Sequence, residues 1–128
     1  MQQGRIAIRP YHYWRPVGTD MEKDCPFCKI VRGETPADLL CQDENLVVFG
    51  DIHPGAPVHL LIVPKKHIRS INDLIEQDRD ILREMILKAR EMAQIQSIAG
   101  SGYKLLFNVE RGGGQHIFHL HLHVLGGW

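Results

Sequence analysis

The chain has 128 residues, 44% of them apolar and 23% charged, a size and composition suited to one compact globular domain. Fifteen basic residues balance fifteen acidic ones, so no general electrostatic attraction draws the chain to nucleic acid. No run of about 18 apolar residues occurs, which argues against a membrane-spanning helix.

Residues 1–20 are aromatic and basic, with Pro10, Pro16 and Gly18 as punctuation, and they lack the apolar stretch of a secretory signal. They read as an N-terminal extension, poorly ordered unless it docks, ahead of a domain over 21–128. The three cysteines are an odd number and, without such a signal, fit a reducing cytoplasm better than a disulfide scaffold. Cys25 to Arg32 predicts a short helix, with Pro26 tolerated in its first turn and Gly33 available to stop it. Leu39–Gln42 and Leu46–Asp51 predict a hairpin about the turn Asp43-Glu44-Asn45. After the loop 53–57, Val58–Val63 predicts a third strand closed by Pro64. His59, Leu61 and Val63 would face one side of it; Val58, Leu60 and Ile62 would face the other.

Ser70 to Ile75 predicts one helical turn. A long helix follows from about Gln77 to Ala99, with Leu82, Met85, Ile86, Ala89, Met92 and Ala93 at spacings of three and four as its buried stripe. Gly100 and Gly102 end it. Tyr103–Val109 predicts a fourth strand, Glu110–Gly114 a glycine-rich turn, and the stretch from Gln115 to Leu125 a fifth strand. Strands joined mostly by short loops, with one long helix and one or two short ones, predict an α+β domain with an antiparallel sheet.

The chemistry concentrates in that last strand. His119, His121 and His123 lie at i, i+2 and i+4, so on a strand they share one face with neighbours about 6.5–7 Å apart. Leu120, Leu122 and Val124 occupy the other face. Imidazole serves as nucleophile, general acid or base, or metal ligand, and the pattern alone leaves a metal site and a catalytic site both open. Gly112-Gly113-Gly114-Gln115, just before it, lets backbone N–H groups approach an anion; it is not a Walker loop, because no Gly-Lys-Ser/Thr follows and it precedes a strand. Cys25 and Cys28 form a CxxC pair. With two histidines the pair completes a tetrahedral site; two buried free thiols are the alternative. No strand–CxxC–helix pattern surrounds it, which argues against a thioredoxin-like role. Cys41 reads as core.

Residues 119–125 match the alternating His-φ-His-φ-His-φ-φ motif, with φ apolar, and the chain resembles the histidine triad (HIT) family over about 21–128. The resemblance includes Asp51-Ile52 followed by Pro54, Ala56-Pro57-x-His59, Ile62-Val63-Pro64-Lys65-Lys66-His67, Asn108 and Gly114-Gln115. Leu125-Gly126-Gly127 is similar to the Hint-like branch. The resemblance implies the HIT fold, a five-stranded antiparallel sheet joined to its copy in a homodimer. It implies a phosphoramidase-like hydrolase acting on purine nucleotides such as AMP derivatives at the α-phosphorus. It further implies a covalent nucleotidyl-histidine on His121, with His123, His119 and the glycine loop in support.

By the same resemblance Phe27, Ile30, Phe49 and Ile52 form the base slot. Asp51 takes the ribose hydroxyls, and Asn108, Gly114 and Gln115 lie on the phosphate side. Structural zinc on Cys25, Cys28, His59 and His119 follows from zinc-binding members. Hint-like proteins usually carry Ser or Thr where this chain has His116, so by the resemblance His116 is a candidate to donate a proton or to alter which leaving groups fit. His67 reads as structural or surface, and His53 is unassigned. Two other readings stay open: a dinucleoside polyphosphate hydrolase, and a non-catalytic nucleotide-binding partner protein.

Overall fold

The computed structural model describes residues 24–128, so the expected extension over residues 1–20 lies outside the described residues. A short helix α1 (Pro26–Val31) leads into β1 (Leu39–Gln42), β2 (Leu46–Gly50) and β3 (Val58–Pro64). A long helix α2 (Arg79–Ile95) separates these from β4 (Tyr103–Leu106) and β5 (Leu122–Gly126). The five strands form one antiparallel sheet in the order β1-β2-β3-β5-β4. The α+β, antiparallel expectation therefore holds.

Local chemistry sets the turns. The Asp43 carboxylate accepts the N–H groups of Asn45 and Leu46, both at 2.9 Å, and closes the β1–β2 hairpin as an Asx turn. Buried Asp78 accepts the Ile75 N–H at 3.1 Å and pairs with Lys66 at 2.6 Å, tying the start of α2 to the end of β3. The long helix is shorter than its hydrophobic pattern. A 3₁₀ turn (Glu76–Asp78) takes its first residues, and Ser97 at φ 61° reverses the chain so that Ile98 drops into the core at 3% exposure. Gly126 faces that side chain; a Cβ there would lie 2.8 Å from Ile98 Cδ1, so glycine is what permits the approach.

The sheet has two differently covered faces. Leu60, Ile62, Leu122 and Val124 pack with Leu46, Val48 and Leu120 against Met85, Ala89, Met92 and Ala93 of α2. Full burial of each large apolar side chain contributes about 2 kcal/mol, which makes this face the main source of stability. Ile86, expected in the buried stripe, is 45% exposed. On the opposite face Val47, Phe49, Leu61 and Val63 pack under Cys25, Phe27 and Cys28 of the α1 segment. The histidines come to this second face.

One boundary moves. The fifth strand begins at Leu122, not near Gln115, so only His123 of the three histidines lies within it. β3 ends at Pro64, which has no N–H to donate. Past Leu122 the ladder has no regular partner, and the Leu120 N–H turns to the Ile68 carbonyl at 2.6 Å. The in–out alternation nevertheless persists through 119–125, because Leu120, Leu122 and Val124 all join the helix-covered core.

Candidate active site

At its α1 end the site is built from sulfur and imidazole. Cys25 caps α1 and its Sγ accepts the Cys28 N–H at 3.3 Å, which brings both sulfurs to one point. Cys28 Sγ lies 3.2 Å from His67 Nδ1 and 3.4 Å from His119 Nδ1; Cys25 Sγ is 3.4 Å from His119 Nδ1. His67 Nδ1 and His119 Nδ1 are 3.1 Å apart. The four donor atoms lie within 4.8 Å of one another, a group able to hold a metal ion. His119 is wholly buried, and its Nε2–H donates to the Pro64 carbonyl at 2.8 Å. That bond leaves the Nδ1 lone pair facing the sulfurs, the arrangement expected of a metal-ligating histidine. Burial pushes His119 down to about 4, so the ring is neutral near pH 7.

The fourth donor is His67, which corrects the expectation of His59. Antiparallel register explains the exchange. His59 pairs with Leu125 and Leu61 with His123, so continuing the same register sets His119 level with the end of β3. His59 lies at the other end of that strand, about 20 Å away at about 3.3 Å per residue. His67 follows β3 directly and reaches the group.

The next histidine, His121, has a different setting. Its Nδ1–H donates to the His119 carbonyl at 2.6 Å, which fixes the tautomer and leaves Nε2 with its lone pair. Phe27 packs edge-on against the ring with centroids 5.0 Å apart. Burial lowers the His121 pKa, opposed by that carbonyl and by Asp51, so the neutral, nucleophilic form predominates at neutral pH.

His123 is oriented by a chain of hydrogen bonds. The Gly55 N–H donates to His59 Nδ1 at 2.8 Å, so the proton of neutral His59 sits on Nε2. That nitrogen is 2.9 Å from His123 Nδ1 and 3.4 Å from the Asp51 carboxylate. His123 Nδ1 therefore accepts and its Nε2 carries the proton; the Asn108 side-chain nitrogen lies 3.3 Å from that N–H, so a bond between the two requires the amide turned to present its oxygen. Burial, with smaller contributions from His121 and His59, pushes His123 down to about 4. Asp51, His59 and His123 also lie close enough to form a three-donor group. The Gly55 bond argues against a metal there, because both His59 nitrogens would have to lack protons.

A cavity of about 460 Å³ opens beside His121 and His123. Phe27, Ile30 and Phe49 line its apolar side, with Leu61 and Ile117. Asp51, Ile52 and His53 form another wall, and Ile52 is 86% exposed at the mouth. Asn108, Gly114 and His116 complete the lining from the glycine loop. Of the residues singled out from sequence for binding the nucleotide, Gln115 alone is absent from the wall. Its amide is buried at the base of the loop, accepting the Glu110 N–H at 2.8 Å and donating to the Arg69 carbonyl at 2.9 Å and the Ile117 carbonyl at 3.1 Å. His119 also leaves the cavity, for the sulfur group. Leu61, His53 and the segment 35–38 line the cavity without having been singled out.

Comparison with known proteins gives a consistent set of likenesses. A family model described as "Scavenger mRNA decapping enzyme C-term binding" matches residues 24–127. A purine nucleoside phosphoramidase of Escherichia coli (strain K12) is 41% identical over 107 residues, 84% of this chain and 90% of that protein. The crystal structure of a HIT family hydrolase from Legionella pneumophila Philadelphia 1 superposes with a TM-score of 0.81 at 48% identity, covering 82% of this chain and 94% of that one. A histidine triad protein from Clostridium difficile superposes at 0.80 with 36% identity, covering 82% and 91%.

Proposed function

The chain belongs to the histidine triad family, and from that premise we propose that it hydrolyses nucleoside 5′-phosphoramidates or related nucleotidyl conjugates at the α-phosphorus. The observation that carries the reading is the 2.6 Å bond from His121 Nδ1–H to the His119 carbonyl in a ring that lines the cavity. It prepares Nε2 as the attacking atom.

In the first step His121 Nε2 forms a bond to phosphorus while the bond from phosphorus to the leaving nitrogen breaks. The departing amine takes a proton from solvent at the open cavity, while the Nε2–H of neutral His123 donates a hydrogen bond to the leaving nitrogen. In the second step water attacks phosphorus, the His121–phosphorus bond breaks, the Nε2 lone pair of His121 is restored, and the water's proton passes to solvent. The loop N–H groups and Asn108 stabilise the equatorial oxygens. Phe27, Ile30, Phe49 and Ile52 take a purine base, and Asp51 takes the ribose hydroxyls. His59 acts one step back, holding His123 in the tautomer that donates.

Zinc is the ion we assign to Cys25, Cys28, His67 and His119. A tetrahedral zinc with bonds of about 2.3 Å to sulfur and about 2.0 Å to nitrogen spaces unlike donors about 3.5 Å apart. Three of the four sulfur–nitrogen separations here are 3.2–3.4 Å, and the fourth is within 4.8 Å. When bound, zinc supplies rigidity to this corner; His119 is then a ligand and its carbonyl remains on His121.

A homodimer completes the reading. The edge of β4 has no neighbour among the described residues, and Ile86 and Leu87 of α2 are half-exposed. Light scattering is expected to give twice the 14.6 kDa chain mass.

Adenosine 5′-phosphoramidate and diadenosine polyphosphates should be turned over side by side, with acid-quenched protein analysed for an adenylyl adduct. We expect the phosphoramidate to be faster and the adduct to map to His121. Faster cleavage of the polyphosphates would replace the substrate assignment, and nucleotide binding without any cleavage would leave a binding protein.

A further inference from the structure

The glycine loop contains one residue that should not be comfortable there. Glu110 has φ 63° and ψ 173°, a backbone region that glycine occupies freely and that costs any residue with a Cβ. Its carboxylate is tied to the segment after β3. Arg69 donates to it twice, at 2.6 and 2.8 Å; Ser70 Oγ donates at 2.7 Å and Asn72 Nδ2 at 3.3 Å. Ser70 is wholly buried, and the Arg69 guanidinium lies 4.6 Å from the centre of the Phe118 ring. The main chain of Glu110 is engaged as well. Its carbonyl accepts the N–H groups of Gly113 and Gln115, both at 3.0 Å, and its N–H goes to the Gln115 side chain at 2.8 Å.

An ordinary surface ion pair contributes little and would not require an unfavourable backbone. Glycine would suit this conformation without strain, yet glycine has no carboxylate to give Arg69. The Arg69 guanidinium, with Ser70 and Asn72, holds the Glu110 carboxyl down at about 2, so the pair persists at every working pH. What the tie holds is a run of three glycines flanked by Asn108 and His116, with Asn108, Gly114 and His116 in the cavity wall.

We propose that Glu110 is a positioning residue: clamped by Arg69, Ser70 and Asn72, it locks the glycine loop at the cavity mouth so that the loop meets a phosphoryl group already ordered. This rests on the nucleotidyl-transfer reading for its kinetic consequence, but not for its mechanical one. Glycine loops are otherwise ordered by the anion they bind, and that ordering is drawn from binding energy. Here the ordering is built in by a side chain anchored outside the cavity.

The test compares wild type, Glu110→Gly, Arg69→Met and the double variant, all in the full chain. Glu110→Gly suits the backbone, so folding is preserved. Hydrogen exchange of the Gly112–Gly114 amides is expected to quicken about tenfold in both single variants, with the β3 amides of Leu60–Ile62 unchanged. kcat/KM for adenosine 5′-phosphoramidate is expected to fall about tenfold, a misplaced-loop effect, and the double variant should be no worse than the poorer single one. Unchanged loop exchange would overturn the clamp. Faster loop exchange with unaltered kcat/KM would overturn its role in positioning, as would additive losses in the double variant. A wild type without turnover would refute the proposed function instead, and the clamp would then stand or fall on the exchange of the loop.

Discussion

His119 and His123 are four residues apart, yet they belong to two clusters with opposite chemistry. His119 gives its Nε2 proton to the Pro64 carbonyl and offers a lone pair to two sulfurs and His67. His123 accepts at Nδ1 from His59, whose own proton position is set by the Gly55 N–H. The donor types overlap between the clusters. The bond made by the far ring nitrogen differs, and it decides whether a lone pair or a proton faces inward. His121 sits between them and draws on both, anchored through the His119 carbonyl and in ring contact with His123 at 5.0 Å between centroids.

The largest expected effect is at that middle position. His121→Ala should lower kcat by about 10⁴-fold or more while AMP still binds, as removal of a nucleophile does elsewhere. Single-turnover kinetics would show it, and near-normal turnover would remove His121 as the attacking group. On the sulfur side, Cys28→Ala should release metal and lower Tm by about 10 °C or more, because binding free energy at such a site is folding free energy. A thermal scan in metal-replete buffer with a shift under about 2 °C would show that the cluster carries no load.

On the proton side, His59→Ala should leave Tm and metal nearly intact but cut kcat by about 10–100-fold, with KM changed less, through the lost orientation of His123. A loss confined to KM would contradict that role. The smallest effect is in pH. His121 and His123 titrate below the ordinary histidine value of about 6.5 because both are buried. The unfolded chain therefore binds protons below that value that the folded one does not, and this contribution to stability is lost as pH falls toward about 4. In kcat/KM the acid limb should lie below pH 6; a limb centred near 6.5 would mean unperturbed rings.

Much of the frame was legible because it depends on short-range pattern. Alternation in 58–63 and 120–125 placed side chains on the correct faces even where the fifth strand starts late. The segment 119–121 departs from a ladder because Pro64 ends its partner, which alternation does not report. The same cause hid His67. It lies 52 residues from His119, and only the antiparallel register reveals which end of β3 meets the cysteines. His59 carried a matching residue type at the wrong end of the strand. Gln115 looked like a phosphate-side residue, but its amide is consumed inside the loop. Glu110 gave no signal, since a glycine-type backbone beneath a glutamate becomes visible only in coordinates.

The split between the two clusters is tested most directly by counting metal in two variants purified without chelator or metal-affinity tag. His59→Ala should keep about one zinc per chain, whereas His67→Ala should lose it, as removal of one of four ligands does. Metal lost from His59→Ala and retained in His67→Ala would contradict the assignment of the two histidines.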